Sequence, residues 1–271
     1  MLKEKRQSVR ARILVKAYPQ PSQTYDETVC VAAVSEDGRE MLRLYPIRFR
    51  HLPPDRRFGR FDLIQMEVER PKGDTRPESR HVIEDSIRIL EKGSQLPANQ
   101  RIALWRNHVA PSLTELVAEQ KINQRSFGIV RPDPGSVRFF AQPIDNDEPE
   151  QRDLVKQLFQ QQSLLEDPLK PLQKPTYNFG YRFKSDGHDH RCTLLDWEVQ
   201  AAWFNYQRQY GSNALDMMKK EYGENIPMQN LHFIFGNQHK RPWQFIVIGL
   251  LRSTLDPDEV GKQNDLFRVS N

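Results

Sequence analysis

Between Arg39 and Arg60 the chain carries seven arginines, Arg39, Arg43, Arg48, Arg50, Arg56, Arg57 and Arg60, against only Glu40 and Asp55. This local excess of positive charge is larger than the net charge of the whole protein, which is +4. Every cation in the stretch is arginine, whose planar fork grips phosphate oxygens in pairs. Tyr45, Phe49, His51 and Phe58 are interleaved as surfaces on which bases stack. The pattern predicts binding to DNA or RNA through Arg43, Arg48, Arg50, Arg56, Arg57 and Arg60, with Arg10, Arg12 and Lys16 extending the same face. The competing expectation is a solvated loop whose arginines pair with carboxylates such as Asp62 and Glu67.

Two further clusters carry chemistry. The segment Asn237-Gln-His-Lys-Arg-Pro-Trp243 falls between two apolar runs and reads as a hairpin tip. There Lys240, Arg241 and Trp243 form a second nucleic-acid contact, set against the plainer expectation that hairpin tips are polar because they are wet. The segment Asp186-Gly-His-Asp-His-Arg-Cys192, followed by Asp196-Trp-Glu198, places two histidines at i and i+2 close to an Asp-x-Glu pair. His188 and His190 as metal ligands, with Asp196 and Glu198 as catalytic carboxylates, would hold a divalent ion for phosphodiester hydrolysis. Against this nuclease reading, Asp196 suits a helix N-cap and Glu198 suits the first turn. The residue two after Glu198 is Gln200, where a restriction-type site needs lysine. Nucleic-acid binding without a cofactor is therefore the leading expectation, a metal-dependent nuclease the second, and a non-catalytic protein-interaction subunit the third.

Several classes drop out. There is no phosphate-binding glycine loop, no dinucleotide fingerprint, no nucleophile elbow and no Cys-x-x-Cys pair. Cys30 and Cys192 are too few to staple a chain of 271 residues, which makes a reducing cytoplasm the default. The longest apolar run, Phe245 to Leu251, is far short of the roughly 20 residues of a membrane helix, and the charged start has no signal-peptide core behind it.

The elements that must position these residues are α+β. Arg12–Tyr18 and Glu27–Val34 read as strands, and Ser35-Glu-Asp-Gly38 as a turn returning Glu40–Ile47 as a hairpin partner. Arg60–Glu69 alternates with a slip at Ile64, which a bulge would reconcile. His81–Leu90 is either a strand pair or a short helix. From Asn99 to Val117 the spacing is helical with a break or kink at Pro111. Ser126–Val130 and Val137–Ala141 read as another hairpin. These give a β-rich, barrel-like domain over 1–145. An acidic, Pro-rich linker with a short polar helix covers 146–176. An α+β module over 177–271 holds an antiparallel sheet and two helices, one from Trp197 to Tyr210 capped by Asp196 and closed by Gly211, the other from Ala214 to Tyr222. Tyr177, Phe179, Tyr181 and Phe183 alternate on one face and build core, leaving Arg182 and Lys184 outside.

The run Tyr177-x-Phe179-x-Tyr181-x-Phe183, then Gly187-His188, Asp196-Trp197-Glu198, Phe235-Gly236 and Ile248-Gly249-Leu250, resembles that of a family of uncharacterised bacterial proteins. Tyr18-Pro-x-Pro-Ser22, Glu27-Thr-Val-Cys30 and Arg43-Leu-Tyr-Pro46 match its N-terminal part. The resemblance covers most of the chain and implies no particular activity. It points to a bacterial mobile-element or antiviral defence pathway. Cysteines stand near the Gly-His element in that pattern, whereas here Ser185 and a displaced Cys192 leave a zinc knuckle incomplete.

Overall fold

The computed structural model describes residues 6–22, 26–144, 173–238 and 241–260. The polar helix and linker expected between 146 and 172 lie outside the described residues. Strands β1 (Gln7–Lys16), β2 (Gln20–Ser22), β3 (Asp26–Ser35), β4 (Met41–Ile47), β5 (Leu63–Glu69) and β6 (Ser79–Glu91) form one sheet in the order β1-β5-β6-β4-β3-β2. Strand β1 closes it into a five-stranded ring. Its first half pairs with β5 (Gln7↔Val68) and its second half with β3 (Lys16↔Val31), so the two edges of the sheet meet on one strand. The barrel-like form expected from the sequence is present. All pairings in the ring are antiparallel except β4 with β6.

The apolar runs on β1 and β3 are nearly continuous because both faces of these strands are covered. Ala11, Ile13, Val29, Val31 and Ala33 point into the barrel with Leu42, Leu44, Ile64, Met66 and Val68. Ala32 and Val34, offset by one residue on β3, and Leu14 and Val15, adjacent where β1 slips register between Ile13 and Val15, pack in a second core with Phe127, Ile129, Ile234 and Ile248. Alternation along β3, and the irregularity in β1, divide the two strands between two cores.

The Asp-Gly turn forms as expected, with Ser35 N donating to Glu40 O at 2.9 Å and Gly38 at a φ of +73°. The slip at Ile64 is a bulge against β6, where register shifts between Leu63 and Ile64. The undecided segment from His81 is a single long strand. Its own irregularity lies between Ile83 and Arg88, where Ser86 Oγ accepts from Glu67 N at 2.7 Å in place of a backbone carbonyl.

Beyond the barrel come helix α1 (Ala98–Trp105), strand β7 (Val109–Ala110) and helix α2 (Leu113–Asn123). The helical stretch expected from Asn99 to Val117 is broken, as anticipated, around Pro111 into two helices. The residues before Pro111 instead pair in parallel with β8 (Phe127–Val130), and Ser112 caps α2 by accepting from Glu115 N. The expected hairpin over 126–141 is also replaced. Strand β8 joins β12 (His232–Gln238) and β13 (Arg241–Leu251) in a sheet of order β13-β12-β8-β7, whereas β9 (Arg138–Pro143) joins β10 (Tyr177–Ser185) and β11 (His188–Thr193). Reading adjacency as pairing fails here because each strand has an apolar partner further along the chain: Ile129 faces Ile234, and Phe139 faces Tyr181.

Helix α3 (Trp197–Tyr210) begins at its Asp196 cap and ends at Gly211, as the sequence predicts. The next helix, α4 (Ala214–Met218), runs on through Gly223 as a π-helical segment to Asn225. Tyr181, Phe179 and Phe183 are buried with Trp203, Phe233 and Phe235 in the largest core, while Arg182 and Lys184 are exposed.

The barrel and the sheet around β13 touch without room to spare. A Cβ on Gly249 would lie 2.6 Å from Val15 Cβ, while one on Gly223 would meet only Phe139 Cβ at 3.5 Å. Gly249→Ala is expected to cost about 1–3 kcal/mol through overpacking. Gly223→Ala is expected to be neutral or to stabilise by up to about 1 kcal/mol. Chemical denaturation of the two variants checks this, and equal midpoints would show that the seam yields.

Candidate functional site

Arg43 lies near the start of β4, between Ala32 on β3 and Ser79 on β6. Its side chain is only 6% exposed. The guanidinium donates from Nη2 to Ser126 O at 2.9 Å, from Nε to Ser126 Oγ at 3.4 Å and from Nη1 to Cys30 Sγ at 3.3 Å, and it lies 3.9 Å over the Phe127 ring. Among the described residues no carboxylate touches it. Glu78 holds Ser126 instead, accepting from Ser126 N at 3.0 Å and Oγ at 2.8 Å, so the hydroxyl stands between the opposite charges. Burial pulls the Arg43 pKa down from its ordinary value, but an arginine stays a cation at neutral pH.

Arg43 and Cys30 form part of the wall of a cavity of about 620 Å³ where the end of β5, the start of β6 and Asn237 of β12 come together. Arg70, Lys72, Arg76 and Arg80 join Arg43 there, against two carboxylates, Glu69 and Asp74. Both carboxylates are already occupied. Glu69 accepts from Arg6 Nε at 2.9 Å. Arg76 grips Asp74 through Nε at 2.8 Å and Nη2 at 2.7 Å, and Ser79 Oγ adds a third bond at 2.7 Å. Burial pushes the Asp74 carboxyl up, yet Arg76 and Ser79 outweigh it and hold the group well below the usual carboxylate range. Arg76 Nη1 also reaches Asn237 Oδ1 at 3.2 Å, which fastens the loop after β5 to β12. The side chains of Arg70, Lys72 and His81 carry no hydrogen bond or ion pair among the described residues.

The other arginines of the 39–60 stretch are turned to different work. Arg48 Nε pairs with Glu84 at 3.0 Å, and Arg56 Nη1 with Asp85 at 3.2 Å. Arg57 donates to the carbonyls of Leu52 at 2.8 Å and Arg50 at 3.0 Å. Arg60 pairs with Glu198 at 2.9 Å and also donates to Leu250 O. Arg39 pairs with Asp37, so the carboxylate partners named for the stretch are Asp37, Glu84, Asp85 and Glu198, not the Asp62 and Glu67 anticipated as alternatives. Of the interleaved aromatics, Phe58 is buried and Phe49 packs on Phe58 and Trp197 at 5.0 and 5.5 Å. Lys16 lies 3.9 Å over Phe49, and burial pushes its amine down to about 8. Arg10 and Arg12 pair with Glu36 and Glu91. Of the stretch, Arg43, Tyr45 and Pro46 line the cavity. The loop over 48–60 leads into β5 at Leu63, while the cavity uses the far end of that strand, from Glu69 onward.

At the other cluster, Lys240 and His239 lie outside the described residues. Arg241 is exposed at the start of β13, and Trp243 is 63% exposed. Asn237 Nδ2 donates to Pro242 O at 2.9 Å, which sets this tip beside the cavity that Asn237 lines.

Asp196 is 2% exposed and spends both oxygens on backbone, Oδ1 accepting from Glu198 N at 2.8 Å and Oδ2 from Leu250 N at 3.1 Å. Burial pushes its carboxyl up to about 6, with Arg60 opposing. Glu198 is taken by Arg60. His188 is exposed on β11, and His190 packs against Phe183 at 5.4 Å, its pKa lowered by burial and by His188. No group of three or more His, Cys, Asp or Glu able to hold a metal occurs among the described residues.

The sequence reading missed Arg70, Lys72, Arg76 and Arg80. The signal was present as four cations within Arg70–Arg80, in a segment whose Gly73 and two prolines mark a connecting loop.

Because the folded state holds the Asp196 proton more tightly than the unfolded chain, its contribution to stability is present below about pH 4 and is lost as pH rises through about 6. The stability difference between the parent protein and Asp196→Asn is expected to narrow across that window. The change is on the order of 1.4 kcal/mol for each unit by which the folded value exceeds the unfolded one. Denaturation at a series of pH values measures it, and a constant difference would show that Asp196 titrates normally.

Two family models match the chain. One, a Domain of unknown function (DUF8758), covers residues 7–108, which hold the barrel and α1. The other, a Domain of unknown function (DUF8757), covers residues 109–270. No curated protein matches. A solved structure described as "Structural mimicry for functional antagonism" is similar at 9% identity over 91% of each chain, with a TM-score of 0.33, which is too low to establish a shared fold. More than half of the chain falls under one model, so it belongs to the family of the Domain of unknown function (DUF8757), with a DUF8758 domain preceding it.

Proposed function

We propose that the protein binds nucleic acid at the cleft between the barrel and the β12–β13 hairpin, not across the whole Arg39 to Arg60 stretch. The observation that carries this reading is the set of cations without internal partners, Arg70 and Lys72, at a cavity where Glu69 and Asp74 are already neutralised. Cations left unpaired at a concave surface attract phosphates, and each phosphate neutralised releases condensed counterion. Exposed Trp243, next to the Pro242 carbonyl that Asn237 holds, supplies a face for base stacking, and Arg241 lies two residues before it. Arg56 and Arg57 serve the fold of their own loop in this reading.

Fluorescence anisotropy of a labelled oligonucleotide against salt tests it. Replacing Arg70 and Lys72 together by Ala is expected to reduce the log–log salt slope by about 1.5 to 2 units without lowering thermal stability. Arg56→Ala with Arg57→Ala is expected to leave the slope unchanged and lower the melting temperature. The opposite pattern would return the interface to the 48–60 loop, and no binding by the parent protein at low salt would remove the nucleic-acid reading.

A further inference from the structure

We infer that the cavity reached past Arg70 and Lys72 is a socket for a terminal phosphate monoester, read by Arg43. In its strand-end form the inference rests on the nucleic-acid binding proposed above; in its free form the same group is carried by a mononucleotide. A cavity of about 620 Å³ is of the size that holds a small ligand, and a nucleotide fits within that class.

Arg43 is the residue suited to reading such a group. Its guanidinium has five N–H donors, of which the fold uses one on each nitrogen. One proton on each of Nη1 and Nη2 is left over, and one of the bonds in use goes to a thiol, a weak acceptor. Its charge has no carboxylate in contact, since Ser126 separates it from Glu78. Arg76, by contrast, is neutralised by Asp74 and further held by Asn237, and acts as wall. A phosphate monoester at neutral pH carries close to two negative charges, matching the cations left over, whereas an internal diester carries one. An internal diester must also let the chain leave on both sides. A side chain only 6% exposed is met more readily by a group that arrives end-on.

The test compares short single-stranded oligonucleotides that differ only in a phosphate or a hydroxyl at the 5′ or the 3′ end, by anisotropy with the full chain. One phosphorylated end is expected to bind about tenfold tighter, as one or two charge-assisted bonds to a buried arginine give. Arg43→Gln is expected to bring that ratio to one, and Arg70→Ala to weaken both oligonucleotides while keeping the ratio. Arg43 is a core residue and its variant can misfold, so a second measurement uses the parent protein. Cys30 is half-buried in the cavity wall and Cys192 is buried elsewhere. Alkylation of Cys30 by iodoacetamide, read by peptide mass spectrometry, is expected to slow roughly tenfold with the phosphorylated oligonucleotide or adenosine 5′-monophosphate well above its Kd. Equal binding of both ends with unprotected Cys30 overturns the socket and leaves nucleic-acid binding in place. If no oligonucleotide binds at low salt, the proposed function falls. Protection by the mononucleotide then sustains the socket alone, and its absence removes both.

Discussion

The positive charge of Arg43, taken out of water without a carboxylate against it, is the constraint on which the arrangement turns. Removing an ion from water costs several kcal/mol even after relaxation, and the cost is met only where its donors find fixed acceptors. Here the acceptors are Ser126 O and Oγ and Cys30 Sγ, with Phe127 beneath the guanidinium. Ser126 is in turn held by Glu78 and by Asn237 N, which donates to its carbonyl at 3.0 Å. One buried cation therefore sets the mutual positions of β3, β4, the start of β6, the entry to β8 and the end of β12. Of these, β3, β4, β6 and β12 line the cavity, together with the end of β5 and the segment after it.

Arginine identity did not separate a binding face from a braced loop, and the reason is geometric. The fork that takes two phosphate oxygens takes a pair of backbone carbonyls equally well, as Arg57 does with Leu52 and Arg50. Ion pairs such as Arg56 with Asp85, where the carboxylate is fully exposed, add at most about 1 kcal/mol. Their effect is to consume donors. What distinguishes the cleft is that its two carboxylates are spent on Arg6, Arg76 and Ser79, leaving Arg70 and Lys72 without an ion-pair partner among the described residues.

Much of the local structure was legible. The Asp-Gly hairpin, the bulge at Ile64, the aromatic core strand β10, and the cap at Asp196 with its closing Gly211 are set by residues adjacent in sequence. The hairpin of β12 and β13 was legible too, but the pairing of β8 and β9 was not, because they choose partners about a hundred and about forty residues away, which no local pattern encodes. The site was only partly legible for the same reason. Arg43 and the hairpin tip at Arg241 and Trp243 were identified by type. That Arg43 lines one cavity with Arg70 and Lys72, and that the tip is fastened beside it, depends on tertiary contacts through Asn237. Asp196 was ambiguous because a carboxylate before a helix serves metal and cap alike. Its second bond, to Leu250 N, comes from a strand more than fifty residues on and decides its work.

The two family models meet between residues 108 and 109, yet the packing does not divide there. Strand β1 shows one face to the barrel and the other to β13, Tyr18 N donates to Leu195 O, and Ala17 bridges to Asp196. A barrel freed of the second part would expose Leu14, Val15, Ala32 and Val34, each contributing roughly 1.5–3 kcal/mol when buried, except alanine at less. It would also lose Ser126, and Arg43 would then be a charge without its acceptors. The cleft takes its cations from one part and the residues that hold them in place from the other. Its chemistry therefore belongs to the seam, and neither half carries it alone.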